Sequence, residues 1–181
     1  MDKNIRRDNI IGSKRFSNYF WSFLLFIGGL SFFLAGISSY FKFNLLPFSN
    51  PKELTFIPQG IVMIFYGTLS LGISIYILFT IFLDIGSGYN EYNKIENLVK
   101  VVRKGFPGKN RQVLLTYPLL NIRSIGIKIT EGLNPTRSVY LCLKDKRNIP
   151  LTSVQEPLSI KDLEEKATDL AKFLDLNIEN L

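Results

Sequence analysis

Two uncharged apolar runs, Tyr19 to Phe41 and Leu54 to Leu83, limit what this chain of 181 residues can fold into. Only a short stretch carrying Lys42, Lys52 and Glu53 separates them. A helix rises ~1.5 Å per residue, so a run of roughly 23 residues reaches about 34 Å, enough to cross a ~30 Å hydrocarbon layer. A helix of a soluble protein rarely exceeds ~20 residues. The runs predict a membrane α-helical hairpin over residues 19–83, with transmembrane helices at 19–41 and 61–83 and a linker at 42–60.

The flanks suit that reading. Residues 1–18 form a polar arm with Lys3, Arg6, Arg7, Lys14 and Arg15, read as a positive-inside anchor. Tyr19 and Trp21 at one end of the first run, and Tyr40 and Phe41 at the other, match the two headgroup belts. Five Lys/Arg precede the first span, two lie in the linker, and Lys94, Lys100 and Arg103 follow the second. This count places both termini on the side of synthesis. Ser31, Ala35 and Ser39 recur every four residues, as do Thr68 with Gly72 and Ser70 with Ser74. Small residues let spans approach closely, either to close the hairpin on itself or to dock a partner's span. The linker, with Pro47 and Pro51, is expected to be a tight connection, and Asp84, Gly86 and Gly88 to stop the second helix.

Residues 84–181 are expected to form one α+β domain, an antiparallel β-sheet with a C-terminal amphipathic helix. Strands are expected at Leu98–Arg103 and Arg111–Tyr117 around the turn Gly105-Phe106-Pro107-Gly108-Lys109-Asn110, then at 125–129, 139–143 and 149–152. Pro157 ends this region, and Ser159 can cap a helix with Asp162 three residues on. Ile160, Leu163, Ala167, Leu170 and Leu174 make its apolar stripe, while Glu165, Asp169 and Lys172 point away and Glu164 lies on the border.

Several chemistries are excluded or weakened. The chain has no histidine, the commonest general base and metal ligand. Cys142 is the only cysteine, so it can form neither an internal disulfide nor a cysteine metal cluster. Gly105 and Gly108-Lys109 fail as a phosphate loop, because Arg103 and Asn110 stand where a glycine and a hydroxyl are needed. Gly86-Ser87-Gly88 fails as a dinucleotide fingerprint, with Glu91 in place of the third glycine. Adjacent Glu164 and Glu165 diverge on a helix and are no paired acid/base site. No catalytic, cofactor or metal residue is assigned. Of the net charge of +7, residues 84–181 carry only +3, fifteen Lys/Arg against twelve Asp/Glu, which argues against nucleic acid. One asymmetry survives. From Asn97 to Thr130 there are seven bases (Lys100, Arg103, Lys104, Lys109, Arg111, Arg123, Lys128) and no acid. They are either solvated faces or a basic surface for anionic headgroups or an acidic protein.

The motifs Gly12-Ser13-Lys14-Arg15-Phe16-Ser17-Asn18-Tyr19, Asn44-Leu45-Leu46-Pro47-Phe48, Phe56-Ile57-Pro58-Gln59-Gly60 and Gly86-Ser87-Gly88-Tyr89-Asn90-Glu91 are distinctive together. So are Gly105-Phe106-Pro107-Gly108-Lys109-Asn110-Arg111 and Glu131-Gly132-Leu133-Asn134-Pro135. With them the whole chain resembles the photosystem I assembly protein family of chloroplasts and cyanobacteria, small two-span thylakoid proteins. Asp84-Ile85 departs from the less polar pair expected before Gly86.

The resemblance implies a non-enzymatic scaffold without a bound cofactor. It would sit in the chloroplast thylakoid membrane, with both termini and the soluble part in the stroma. Its partners would be photosystem I reaction-centre subunits and thylakoid lipids, within a homo-oligomer or a large assembly complex. Exposed charge within recognisable motifs makes Lys109 and Arg111, then Glu164 and Glu165, the candidate partner-binding residues. The alternative is a membrane-anchored lipid-binding module, since strands followed by a helix also suit a pleckstrin-homology-like fold.

Overall fold

The computed structural model describes residues 4–43, 45, 54–130, 132, 136–152 and 159–180. Residues 44 and 46–53 of the proline-marked linker, most of the motif at 131–135 and Pro157 therefore lie outside the described residues. The chain divides into two compact units, one of residues 13–85 and one of residues 1–12 with 86–181.

The first unit is a pair of helices, α1 (Phe16–Phe41) and α2 (Ile61–Leu83), with a π-helical turn at Phe56–Gly60 leading into the second. Both are long and apolar enough to cross a membrane, and most of their residues are exposed. α1 begins three residues before the expected start, and α2 has the expected bounds. Asp84 caps α2 in the left-handed region, and its N–H donates to the Ile81 carbonyl at 3.1 Å.

The helices run antiparallel on small residues. Ser22 meets Ser74, Gly29 meets Gly67, and Gly36 meets Gly60, a contact every seven residues on each side. A Cβ built on Gly67 would lie 2.6 Å from the Phe33 backbone nitrogen, so the two backbones touch there. Ser74 Oγ donates to the Ser22 carbonyl at 2.8 Å and Ser70 Oγ to the Leu25 carbonyl at 2.9 Å.

The four-residue stripes expected from the sequence are thus only partly the contact face. Ala35, Ser39, Ser70 and Ser74 belong to it or border it, whereas Ser31 and Thr68 bond back to their own helices and Gly72 faces open space. At the open end of the pair, the Ser13 N–H donates to the Ile85 carbonyl at 2.8 Å and Lys14 lies 4.0 Å from Asp84.

The second unit holds two four-stranded sheets rather than one. The first is the antiparallel meander β1 (Ile5–Ile10), β2 (Gly88–Asn93), β3 (Leu98–Lys104) and β4 (Gln112–Pro118). The second contains β5 (Ile122–Thr130), β6 (Thr136–Leu143), β7 (Asn148–Pro150) and β8 (Asn177–Asn180), in the order β7-β6-β5-β8. Helix α3 (Ile160–Leu174) starts at Ser159, whose hydroxyl accepts from the Asp162 N–H at 3.1 Å as the sequence predicts. It packs on β5, β6 and β8.

One apolar core joins Tyr92, Val99 and Val101 of the first sheet with Ile125, Val139 and Leu141 of the second and with Leu163, Ala167 and Leu170 of α3. Asn90 and Arg103 stitch the layers together by donating to the Leu151 carbonyl at 2.8 and 3.3 Å. Ile160, expected on the apolar stripe, is 45% exposed at the first turn, and Ala171 is buried instead.

Three strands were not legible in the sequence. Residues 5–10, read as part of a polar arm, pair with β2, and Arg7 stacks 3.5 Å from the Tyr89 ring centre. β2 itself carries a polar sequence in which Asn90, Tyr92 and Asn93 are the buried members. β8 follows the helix and pairs with β5 in parallel, so the second sheet is not purely antiparallel. A strand returning through a crossover helix can join parallel, which a meander cannot.

Candidate functional site

In the first sheet the register runs Ile10↔Gly88, Gly88↔Arg103 and Arg103↔Val113. The end of β1, the starts of β2 and β4, and the end of β3 therefore share one end of the sheet. Two connections leave from that end. One is the whole helix pair, inserted in sequence between β1 and β2, and the other is the β3–β4 turn at 105–111. Successive hairpins in a meander alternate ends, so the β2–β3 turn lies at the opposite end. The Lys104 N–H donates to the Ser87 carbonyl and its own carbonyl accepts from the Gly86 N–H, both at 2.7 Å.

Lys109 and Arg111 sit on this turn. With Lys104 and Gln112 they line an open pocket of about 530 Å³. Lys109 is exposed and makes no ion pair among the described residues. Phe106, on the same turn, is 52% exposed. Glu164 and Glu165 are both exposed on α3, against the expectation that Glu164 would lie on the border. They are on a different element and line no part of that pocket. The four residues are therefore two separate charged places.

The run of seven bases also resolves into parts. Lys100 donates to Glu96 at 2.9 Å and lies 3.6 Å from Glu91. The hydrogen bond with Glu96, then its charge, holds the Lys100 ammonium above its ordinary range. Arg123 pairs with Glu179. Arg103 is half-buried and donates to the Asn90 side-chain oxygen at 2.9 Å, and desolvation pulls its guanidinium below its usual value. Burial likewise pushes the Tyr92 phenol far up.

Glu91, Glu96 and Glu179 lie outside the acid-free stretch, and folding brings them to it. Lys104, Lys109 and Arg111 line the same pocket. Gln112 is the member that sequence reasoning did not name, and Lys104 stood there only as one of the seven bases. The signal for them was strand register, which sets them opposite each other at the mouth of the turn.

Among the described residues no cluster of His, Cys, Asp or Glu could hold a metal ion. The helix pair carries an apolar groove of about 390 Å³ lined by residues such as Leu24, Gly28, Phe32, Tyr66 and Ile73. What this arrangement offers chemically is contact: donors in the pocket, carboxylates on α3 and apolar surface on the helices.

Comparison with known proteins agrees with the motifs. The family model described as Ycf4 matches residues 3–172. A protein of Phaeodactylum tricornutum named photosystem I assembly protein Ycf4 is 78% identical over 181 residues, covering all of both chains. Proteins of the same name from Pyropia yezoensis and Rippkaea orientalis are 53% and 48% identical, covering 97% and 99% of this chain and 95% and 96% of their own.

Proposed function

The chain belongs to the Ycf4 family, and on that premise we propose that it is a non-enzymatic assembly factor of photosystem I. The observation that carries this reading is the match to relatives bearing that name over 97–100% of the chain. In this reading the helix pair is a hairpin across the thylakoid membrane. The remainder faces the stroma as a scaffold for reaction-centre subunits, within a homo-oligomer or a larger assembly complex.

Three features support the topology. α1 and α2 are antiparallel, with their outer chain ends bonded to each other at Ser13 and Ile85. β1 and β2, which flank the pair in sequence, are partners in one sheet, so both must lie on one side of whatever the pair crosses. Lys and Arg are more numerous before α1 than in the linker.

The two charged places act separately, the basic turn at the sheet end that feeds the helix pair and the acidic pair on α3. Reversing both glutamates (Glu164→Lys with Glu165→Lys) is expected to lower photosystem I severalfold while this protein persists at its normal level. Loss of the variant protein itself would show that the glutamates serve folding. Protease added to the stromal face of sealed thylakoids is expected to degrade residues 86–181, and full protection of them would invert the topology.

The order of four strands, then three, then a helix also suits the pleckstrin-homology-like alternative, with β8 as an addition. That likeness of order concerns build alone, and contact with lipid is compatible with an assembly role.

A further inference from the structure

We propose that Lys104, Lys109 and Arg111, with Phe106 beside them, form an interfacial site for the phosphate of an anionic lipid headgroup. The proposal rests on reading the helix pair as membrane-spanning. Given that, position follows from chain length. Leu83 ends α2 and Ser87, four residues on, is bonded to Lys104. Four residues span at most ~14 Å, so Lys104 cannot leave the neighbourhood of the helix end. The polar layer adds ~5–8 Å beyond the hydrocarbon on each side, and the field of anionic lipids decays over a Debye length of ~8–10 Å. The pocket is thus tethered within reach of the headgroups.

Its chemistry fits that place. Two ammonium groups, a guanidinium and the Gln112 amide can all donate to phosphate oxygens, and no carboxylate lines the pocket among the described residues. Phe106 is the second, independent pointer. It is a large apolar side chain left exposed on the turn, followed by Pro107, and it lies outside the packed core. A site for a soluble anion has no use for such a residue, whereas an interfacial one does, because the ring can enter the boundary of headgroup and acyl chain while its cationic neighbours hold phosphate. The basic turn is thereby assigned to the membrane face, leaving the glutamates of α3 to meet protein subunits.

The test uses the full chain in lipid nanodiscs, either pure phosphatidylcholine or with about 30 mol% phosphatidylglycerol. Acylation of Lys109 by a water-soluble amine reagent is read by peptide mass spectrometry, with exposed Lys161 and Lys166 of α3 as internal references. In the anionic discs, acylation of Lys109 relative to the references is expected to fall about fivefold and to recover in about 0.5 M salt. Phe106→Ala is expected to lose at least half of that protection with the melting temperature unchanged.

Equal acylation in both discs, with the chain incorporated, overturns the site and leaves the spans intact. Failure to incorporate overturns both readings. Equal protection by inorganic phosphate in neutral discs would make the ligand a soluble anion and overturn the lipid assignment.

Discussion

The two units of this chain bury opposite kinds of residue. In the helix pair the hidden face is Ser22, Gly29, Gly36, Gly67 and Ser74, while Phe23, Phe65 and Phe82 point outward, the last 83% exposed. In the sheet–helix unit the hidden positions are Val99, Ile125, Leu141 and Leu163, and the exposed ones are mostly charged or polar, apart from an apolar stretch at Val113, Leu114 and Leu115. Water penalises exposed apolar surface, so in the second unit large side chains go inside. In hydrocarbon that penalty vanishes, and close backbone approach with interhelical hydrogen bonds is what brings helices together. The inversion is what the proposed span calls for, a helix pair in hydrocarbon beside a sheet–helix unit in water.

The largest expected effect attacks the contact of the pair. Gly67→Leu would drive a side chain into the Phe33 backbone, and overpacking of this kind is expected to cost upwards of about 3 kcal/mol. Gly72→Leu, where nothing lies within 4 Å, is the control and should leave the melting temperature in detergent nearly unchanged. If both variants melt alike, small residues do not set the packing.

Next comes the other unit. Leu163→Ala removes a fully buried side chain from under α3 and is expected to cost about 3 kcal/mol, while Leu69→Ala on the outside of α2 should cost little. A smaller effect follows from Ser74→Ala, which deletes the interhelical bond to Ser22 and should lower stability by about 1 kcal/mol.

The inversion also explains what could be read from sequence. Length and absence of charge placed α2 to the residue and α1 to within three, because those signals need no partner. The contact face was harder. Stripes of spacing four are visible in sequence, but the pair packs at spacing seven, and only a partner helix reveals which small residues touch.

In the second unit, β5 and β6 alternate in apolar residues and β3 and β4 flank a glycine- and proline-marked turn, so these were legible. β1 and β2 were not, because Arg6, Arg7, Asn90 and Glu91 hide the alternation, and only pairing across the inserted helices makes strands of them. The same insertion governs the candidate site. Lys109 and Arg111 stood out as charge in a motif, yet their place at the end that feeds the helix pair depends on β1 joining the sheet.

The smallest effect concerns the charged exterior that the helix pair lacks. Asp145 and Arg147 flank a turn in the second unit, where Arg147 Nε donates to the carboxylate at 2.6 Å and its backbone N–H donates at 3.1 Å. These bonds hold the Asp145 carboxyl below its ordinary value of 3.8. A carboxylate depressed by folding stabilises the folded state at pH above its unfolded value, and that contribution is lost as pH falls through the folded one.

Stability should therefore decline below about pH 4, and Asp145→Asn should lower stability slightly at neutral pH and not at all at the acid end, where the wild-type carboxyl is protonated, so that this part of the decline is missing from the variant. The measurement is the difference between the two melting curves across pH 2 to 7, repeated at high salt. An exposed pair is screened, so the difference should shrink with salt. The interhelical serine bond, shielded from water, should not respond to salt at all. If both respond alike, the two units do not differ in solvent and the contrast between them fails.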